Sequence, residues 1–240
     1  KIKQKEDAAA EEVEDPHDNA SINIDDQGHI WIFISGRSSI RKGYIYRSFK
    51  PYSIKKFELI TTREMAYPQP MFIRNKGLVY LFTKYTNGRE LYWLKIKQNM
   101  IQAGQWSSVH DKKLAGFGGH YQISSEKDGK VITAFNWHKN GVDSRTNLYY
   151  IQTKDMGETW TTVEGVHVET PILSPENKAL VINYNQQEKN VYLNDITFDN
   201  KGNPIIQYVI SNGHKPGQDS DPRIWMVTHW SGTSWETYEV

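Results

Sequence analysis

Four strongly apolar segments recur along the chain, and each follows a short polar turn that contains glycine. The segments are IWIFI, LVYLF, VITAF and PIIQYVI. They lack the clean alternation of apolar and polar residues that marks a sheet with one solvated face. Strands of this kind are covered on both faces. The pattern therefore predicts sheets that are stacked between other sheets.

Each apolar segment is the middle of a repeat. A strand and a turn (DQG, NKG, KDG or NKG) precede it, and a loop and a third, aromatic-rich strand follow it. Glycine and asparagine tolerate positive φ, so these turns are predicted to be hairpins. The turn glycines, Gly28, Gly77, Gly129 and Gly202, are spaced by 49, 52 and 73 residues. The long last interval holds an apparent insertion, VETPILSPENKALVINYNQQEKN.

Antiparallel sheets of about four strands, repeated every ~50 residues and buried on both sides, are typical of propeller blades. We therefore predict an all-β β-propeller of four-stranded antiparallel blades, about four of which are visible. A β-sandwich is the alternative, but it does not explain the repeat. The predicted organisation is a charged N-terminal arm over residues 1–15 and one domain of blades over 16–240. No strand returns to complete the first blade, which indicates a part of a larger propeller.

Composition narrows the class of partner. The 240 residues include 29 basic and 28 acidic side chains, so nothing favours nucleic acid or a membrane surface. No apolar run approaches the ~20 residues that span a bilayer. Cysteine is absent, which excludes disulfides and thiolate chemistry. The eight Trp and 14 Tyr serve either as packing residues between sheets or as platforms on which sugars stack.

The stretch TKDMGETW (153–160) is a polar turn closed by a tryptophan. Asp155 can accept hydrogen bonds from the N–H groups of the turn, and Gly157 supplies a permissive backbone. Trp160 is expected to pack between neighbouring sheets. A degenerate copy, WSGTSW, ends at Trp235. The stretch resembles the Asp-box (BNR) signature of sialidases and other sugar-processing propellers, and we expect it between the third and fourth strands of a blade, with a structural role.

The repeat also predicts which residues surround the mouth of the central channel, at the starts of first strands and in the loops after second strands. Near first strands these are His17, Asp18, Asn19, Tyr67, Gln69, His120, Tyr121, Gln122, Asn194 and Asp195. After second strands they are Arg37, Lys84, Tyr85, Arg89, Trp137, His138, Arg145, His214 and Arg223. Four histidines at equivalent points favour a site over turn-forming residues alone.

No established nucleotide or serine-hydrolase motif is present. There is no glycine-rich loop that opens a helix, and no GxSxG elbow. No cofactor is predicted. A structural metal ion is left open, since imidazole is a common ligand, but no HxH or HExxH spacing supports it.

Four segments together resemble the BNR-repeat propellers that include ulvan lyases and related rhamnose–glucuronate-cleaving enzymes. They are DPHDNASINIDDQGHIWIFISGRS, YPQPMFIRNKGLVYLFTKY, GGHYQISSEKDGKVITAF and NLYYIQTKDMGETW. Many members of this group carry a neuraminidase label, and its enzymes are similar to seven-bladed propellers. The resemblance implies a secreted or periplasmic protein that acts on an oligo- or polysaccharide, although KIKQKEDAAAEEVEDP lacks the apolar core of a signal peptide. The oligomeric state is left open.

The resemblance also implies site residues. In the ulvan lyases a His before one first strand, a Tyr before the next blade and an Arg after that blade's second strand belong to the site, and these places hold His17, Tyr67 and Lys84. Two positions depart from the group: Arg37 stands where a second His is usual, and Lys84 where Arg is expected. Lysine is a poorer clamp for a carboxylate because it lacks the bidentate guanidinium.

We accordingly predict a polysaccharide lyase that cleaves an acidic, uronate-containing glycan by β-elimination. The predicted catalytic residues are His17, Tyr67 and His138. The predicted substrate-binding residues are Asn19, Arg37, Gln69, Lys84, His120, Tyr121, Arg145 and His214.

Two alternatives stay open. A sialidase-like or rhamnosidase-like glycoside hydrolase needs a pair of carboxylates, for which Asp18 and Asp195 are the only candidates. The F/Y-R-I-P motif of sialidases is absent, and PRIW at 222–225 is no equivalent. A noncatalytic carbohydrate-binding propeller is compatible with Arg37 in place of a lyase histidine.

Overall fold

The computed structural model of the protein describes residues 19–102, 104–106 and 109–240, and these form four consecutive four-stranded antiparallel sheets. The first sheet contains β1 (Ala20–Ile24), β2 (Ile30–Ile34), β3 (Gly43–Ser48) and β4 (Phe57–Arg63). The second contains β5 (Ala66–Ile73), β6 (Gly77–Tyr85), β7 (Arg89–Lys97) and β8 (Lys112–Ala115). The third contains β9 (Gln122–Lys127), β10 (Lys130–His138), β11 (Arg145–Thr153) and β12 (Leu180–Ile182). The fourth contains β13 (Asn190–Phe198), β14 (Pro204–Ser211), β15 (Ile224–Trp230) and β16 (Trp235–Glu239).

In every sheet the strands pair in chain order, so each sheet is a simple meander. One short α-helix, α1 (Gln98–Gln102), and two 3-10 turns, Tyr184–Gln187 and Gly217–Ser220, complete the regular structure of the described residues. None of the helices in the described ranges has the length and apolarity that a membrane crossing requires. The predicted all-β architecture of propeller blades is confirmed, whereas the predicted arm over 1–15 lies outside the described residues.

Strand β6 shows why the apolar segments do not alternate with polar residues. Leu78, Tyr80 and Phe82 are completely buried against the first sheet. Their neighbours Val79 and Leu81 point the other way and are completely buried against the third sheet. Both faces of the strand are therefore covered, as the sequence pattern predicts.

Successive sheets are joined by apolar interfaces. Trp31 of the first sheet packs on Phe72 of the second, with ring centroids 5.4 Å apart. The third and fourth sheets meet around Tyr184 and Tyr208, whose hydroxyls are 2.8 Å apart. Within the described part of the chain, no such cluster joins the fourth sheet to the first. Large apolar side chains are exposed on these two end sheets, including Ile22, Ile24 and Trp225.

The third repeat differs from its prediction in one respect. The segment that looks like an insertion contains β12 and thus the fourth strand of the third sheet. Its three residues pair irregularly with β11, and a strand this short has too little apolar periodicity to be recognised in the sequence. The predicted hairpin turns are confirmed, since Gly28, Gly77, Gly129 and Gly202 all have positive φ.

The TKDMGETW turn follows β11 and is held by its own side chains. The Asp155 carboxylate accepts hydrogen bonds from the Thr159 N–H at 2.9 Å, the Thr159 hydroxyl at 2.6 Å and the Thr153 hydroxyl at 2.8 Å. Trp160 is buried against Trp93 of the second sheet, with ring centroids 5.8 Å apart. WSGTSW lies between β15 and β16, where Trp235 packs on Tyr150 of the third sheet. Each turn thus reaches back to the preceding sheet.

The antiparallel register defines two edges of the sheets. At the first edge the start of each first strand meets the end of its second strand, as in the pairs Ala66 with Thr83 and Gln122 with Phe135. We call it the site edge. The opposite edge carries the hairpin turns between first and second strands and the TKDMGETW turn, and we call it the turn edge.

Candidate functional site

Eight side chains meet at the site edge and form what we call the Arg–Tyr cluster. It consists of Arg37, Tyr67, Tyr85, Arg89, Tyr121, His138, Arg145 and Tyr192, each in contact with at least one other member. The residues come from all four sheets, where they lie at the start of a first strand, at the end of a second strand, in the loop that follows it or at the start of a third strand. The meander topology is therefore what brings these distant parts of the chain together.

One half of the cluster centres on the Tyr85 hydroxyl. Arg37 Nη1 donates a hydrogen bond to it at 3.2 Å. The Tyr67 hydroxyl lies 3.4 Å from it. The Arg89 guanidinium lies over the Tyr85 ring, 5.2 Å from its centroid. Two cations and a second phenol therefore surround one phenol oxygen.

The other half centres on the Tyr121 ring. Tyr67 meets this ring edge to face at 5.3 Å, and His138 meets it at 4.8 Å. The Arg89 and Arg145 guanidiniums lie 5.6 Å and 5.0 Å from its centroid. Such cation–π contacts orient guanidiniums without using up their N–H donors.

Arg145 also contacts the ring of Tyr192, at 4.7 Å from the centroid. Its Nε donates to the Val142 carbonyl at 2.9 Å. Neither Arg145 nor Arg89 pairs with a carboxylate in the described part of the chain, and Arg89 Nε is buried without a hydrogen-bond partner. The cluster therefore presents positive charge that can receive an anion.

A local distortion of the β5 backbone directs the Tyr67 side chain into the cluster. Its φ is 52°, in the left-handed region, and the pairing of β5 with β6 shifts register between Ala66 and Gln69. The Tyr67 N–H is held by the Ser35 hydroxyl at 3.2 Å. Bulges of this kind redirect side chains next to functional sites, and left-handed strain persists only where surrounding contacts impose it.

Buried polar contacts hold the loops beneath the cluster. Asn136 is completely buried, accepts a hydrogen bond from the Tyr121 N–H at 2.9 Å and donates to the Val191 carbonyl at 3.0 Å. Its own carbonyl accepts from His120 Nδ1 at 2.7 Å. Asn136 therefore ties the starts of β9 and β13 to the end of β10.

Two of the four phenols in the cluster, Tyr67 and Tyr85, have pKa values that shift in opposite directions. Burial and the contacts with Tyr85 and Tyr121 raise the pKa of Tyr67. Burial also opposes ionisation of Tyr85, but its hydrogen bonds with Tyr67, Arg37 and Arg89 outweigh this and lower its pKa. Of these two phenols, Tyr85 is therefore the one that ionises more readily.

The two described histidines of the region are neutral. Burial lowers the pKa of His120 to about 4. Burial, together with His120, Arg145 and Arg89, lowers that of His138 to about 3. The Nε2 atoms of both rings are buried and have no hydrogen-bond partner among the residues that the structure describes. His120 is completely buried, so a ligand can reach it only if the loops move.

A comparison with protein-family models shows where this architecture belongs. The model of a family described as BNR repeat-containing matches residues 2–240. The chain belongs to the BNR repeat-containing family. A search of curated protein sequences finds no significant match.

Solved structures similar to this BNR-repeat protein are carbohydrate-active enzymes. An ulvan lyase of polysaccharide lyase family PL25, bound to -[GlcA(1-4)Rha3S]-, superimposes with a TM-score of 0.77 at 16% identity, over 93% of this chain and 57% of the lyase. An α-L-arabinanase of Penicillium chrysogenum, complexed with arabinobiose, gives a TM-score of 0.56 at 10% identity, over 91% of this chain and 65% of its own. At these identities the likeness shows the β-propeller fold. The BNR-repeat chain spans little more than half the length of the ulvan lyase.

The structure brings five of the predicted site residues into the Arg–Tyr cluster, namely Arg37, Tyr67, Tyr121, His138 and Arg145. Gln69 lies apart, in a groove along the first strands that Ser21, Asn23 and Ser124 also line. His214 is exposed at the rim, 3.9 Å from Asp143. Asn19 is exposed just before β1, and His17 and Asp18 lie outside the described residues.

Lys84 does not face the cluster. Successive residues of a strand point to opposite faces, so Lys84 points away from the side that carries Tyr85. Its Nζ lies 2.5 Å from Asp111 Oδ2 and 5.1 Å from the centroid of the Tyr92 ring. Its ammonium is therefore already paired with a carboxylate, which it shares with Arg63.

Tyr85, Arg89 and Tyr192 are cluster members that the sequence-based selection of site residues omits. Tyr85 and Arg89 share the loop TKYTNGR with Lys84, and only the strand register shows which of the three face the site. Tyr192 lies two residues inside β13, and no spacing signal marks it. Asp195, a candidate for hydrolase chemistry, is exposed and its Oδ1 accepts a hydrogen bond from the Ile196 N–H.

No group of three or more His, Asp or Glu side chains that could hold a metal ion occurs among the described residues. The ligating chemistry of the cluster is cationic and phenolic, which suits an anion better than a metal.

Proposed function

We propose that this BNR-repeat protein is a polysaccharide lyase that cleaves an acidic, uronate-containing glycan by β-elimination. The observation that carries the proposal is one cluster that holds three arginines, Arg37, Arg89 and Arg145, together with two phenols, Tyr67 and Tyr85, whose pKa values shift in opposite directions. The likeness to an ulvan lyase bound to -[GlcA(1-4)Rha3S]- supports the same substrate class.

β-Elimination at a 4-linked uronate needs three groups. A cation must neutralise the carboxylate so that the C5 proton becomes acidic, a base must remove that proton, and an acid must protonate the departing O4. The C4–O4 bond breaks as the C4–C5 double bond forms. The Arg–Tyr cluster contains side chains suited to each role.

Arg89 and Arg145 are assigned to the carboxylate. Among the described residues no carboxylate pairs with either guanidinium, and a guanidinium can hold a carboxylate in bidentate geometry. This assignment replaces Lys84, whose ammonium is paired with Asp111.

Tyr85 is assigned to the C5 proton and Tyr67 to O4. The phenolate of Tyr85 is stabilised by Arg37 and Arg89, and Tyr67 holds its proton because its pKa is raised. His138, neutral and packed on Tyr121, positions that ring. A role for His17 as base or acid partner stays a prediction from the resemblance.

The test is turnover of a panel of uronate polymers, including rhamnose–glucuronate polymers, followed by the absorbance of unsaturated uronate. Tyr85→Phe and Tyr67→Phe should each lower kcat by ~10²-fold or more, because general acid–base groups contribute about that much. Tyr92→Phe, a phenol beside Lys84 and outside the cluster, is the matched control and should retain activity.

Other products would select other functions. Reducing ends without a double bond would indicate a glycoside hydrolase on the same fold, and glycan binding without turnover would indicate a binding module. Absence of unsaturated product across the whole panel would contradict the lyase proposal.

A further inference from the structure

A second concentration of positive charge lies on the turn edge, between the third and fourth sheets. A groove of about 360 Å³ there is lined by Lys127, Lys130, Lys154 and Lys201, and among the described residues of the lining Asp128 is the one acidic side chain. We call it the lysine groove. Its volume is within the range of small-ligand sites, ~300–1,000 Å³.

The lysines hold the groove open by contacts to the backbone of the next sheet. Lys130 Nζ donates to the Gly202 carbonyl, and Lys127 Nζ donates to the Asp199 carbonyl at 3.5 Å. Lys130 also lies over the Phe198 ring, 5.0 Å from its centroid. Each ammonium has three donors, so these contacts leave donors that point to solvent.

Two nearby acidic side chains, Asp199 and Glu126, are engaged by other groups. The Asp199 carboxylate accepts hydrogen bonds from the backbone N–H groups of Lys201 and Asn203 and contacts His229 Nε2 at 3.0 Å. Glu126 Oε1 accepts from the Gly129 N–H at 2.7 Å. In the described part of the chain, none of the four groove lysines forms an ion pair with a carboxylate.

Like charges are therefore crowded in the groove. Burial and the neighbouring Lys154 lower the pKa of Lys130, Lys127 adds to this effect, and Asp199 partly opposes it. A bound anion would relieve this repulsion. The adjacent hairpin turn extends the basic strip, since Lys76 Nζ would lie 3.4 Å from a Cβ placed on Gly129.

We propose that the lysine groove is a second binding site for an anionic polysaccharide, whose sulfate or carboxylate groups it holds on the edge opposite the Arg–Tyr cluster. Four lysines on flexible stems suit the repeated, irregularly oriented anions of a polymer, because an ammonium binds as a point charge without fixed geometry. The proposal does not depend on lyase activity, since it concerns binding at a different edge.

Heparin, a sulfated polysaccharide with uronate units, is the first probe, and unsulfated polygalacturonate, which carries carboxylate alone, is the second, so that the contribution of sulfate is measured against that of carboxylate. Titration calorimetry with the triple variant Lys130→Gln, Lys154→Gln, Lys201→Gln should show Kd for heparin raised ~10-fold or more, as expected for the loss of several charge-assisted contacts. The triple variant Lys55→Gln, Lys178→Gln, Lys215→Gln removes the same charge at exposed sites elsewhere and should change Kd less than ~2-fold.

Lys130 contacts the backbone of the fourth sheet, so its replacement can disturb folding as well as binding. A second variant that leaves Lys130 unchanged separates the two effects. Lys154→Glu with Lys201→Glu changes only exposed side chains and should also weaken heparin binding, with an unchanged thermal midpoint. Arg89→Ala in the Arg–Tyr cluster should leave heparin binding at the groove intact, even if it abolishes turnover.

Three results would overturn the proposal. One is equal weakening by the groove triple and the control triple, which would indicate net charge alone. Another is loss of heparin binding in Arg89→Ala but not in the groove variants. The third is tighter binding of duplex DNA or anionic phospholipid vesicles than of either polysaccharide at equal ionic strength.

Discussion

At the scale of single residues, the site depends on phenols and guanidiniums that are in contact and influence each other's ionisation. Tyr85 is in contact with Arg37, Arg89 and Tyr67 at once, so its ionisation depends on all three. The His120 and His138 rings lie below this layer and are kept neutral by burial. A neutral imidazole next to Arg89 and Arg145 adds no charge that would compete with a bound anion.

The two buried histidines make stability depend on pH. Their folded-state pKa values of about 4 and about 3 lie below the ordinary 6.5, so between these limits the unfolded chain binds protons that the folded chain does not. The free energy of unfolding should therefore fall as pH is lowered from ~6.5 towards 4. Each histidine should contribute a loss of at most ~1.4 kcal/mol for each pH unit. Urea unfolding at several pH values measures this.

The double variant His120→Gln, His138→Gln should flatten that dependence, whatever its absolute stability. His167→Gln, at an exposed position, is the control and should keep the slope of the parent chain. An unchanged slope in the double variant would contradict the assignment.

At the scale of elements, the site is built from strand ends that are joined by few but buried polar contacts. Asn136 at the end of β10 binds the backbone at the starts of β9 and β13. The loop after β6 packs so closely on the segment before β9 that a Cβ on Gly88 would lie 1.8 Å from the Gly118 carbonyl oxygen. A glycine at position 88 is what permits Arg89 to enter the site edge beside Tyr121.

Asn136→Ala should lower the free energy of unfolding by ~2–4 kcal/mol, because it leaves the Tyr121 N–H and the Val191 carbonyl buried without partners. Asn23→Ala is the matched control: its Nδ2 also donates to a neighbouring sheet, to the Pro70 carbonyl at 3.0 Å, but in a half-buried place. It should cost less than ~1.5 kcal/mol. Chemical denaturation compares the two, and equal losses would refute the role of Asn136.

At the scale of the whole molecule, the sheets are joined by apolar interfaces and by the tryptophans of the outer turns. Trp160 closes TKDMGETW and packs on the preceding sheet through Trp93. The turn lies on the edge opposite the Arg–Tyr cluster, so its resemblance to an Asp box concerns architecture and does not identify a reaction. The stack of sheets is what places Arg37 of the first sheet and Tyr192 of the fourth in one contiguous cluster.

Trp160→Ala should destabilise the chain by ~3–5 kcal/mol, as expected for removal of a fully buried tryptophan. Trp235→Ala removes the equivalent residue of WSGTSW, which is only half-buried, and should cost ~1–2 kcal/mol. Thermal unfolding of both variants provides the measurement. A larger loss for Trp235→Ala would show that the two turns do not have the corresponding roles inferred from their shared spacing.

The sequence by itself determined the repeat, the glycine turns and the edge on which the site residues lie, because these follow from local periodicity and backbone preference. It placed Arg37, Tyr67, Tyr121, His138 and Arg145 at that edge, since strand order alone specifies which loops meet there. Tertiary structure alone decided that Lys84 pairs with Asp111 while Tyr85 and Arg89 enter the cluster. Whether the side chain at a strand end faces the site depends on strand register and on bulges. Both are set by contacts between strands and between sheets, so no local stretch of the chain specifies them.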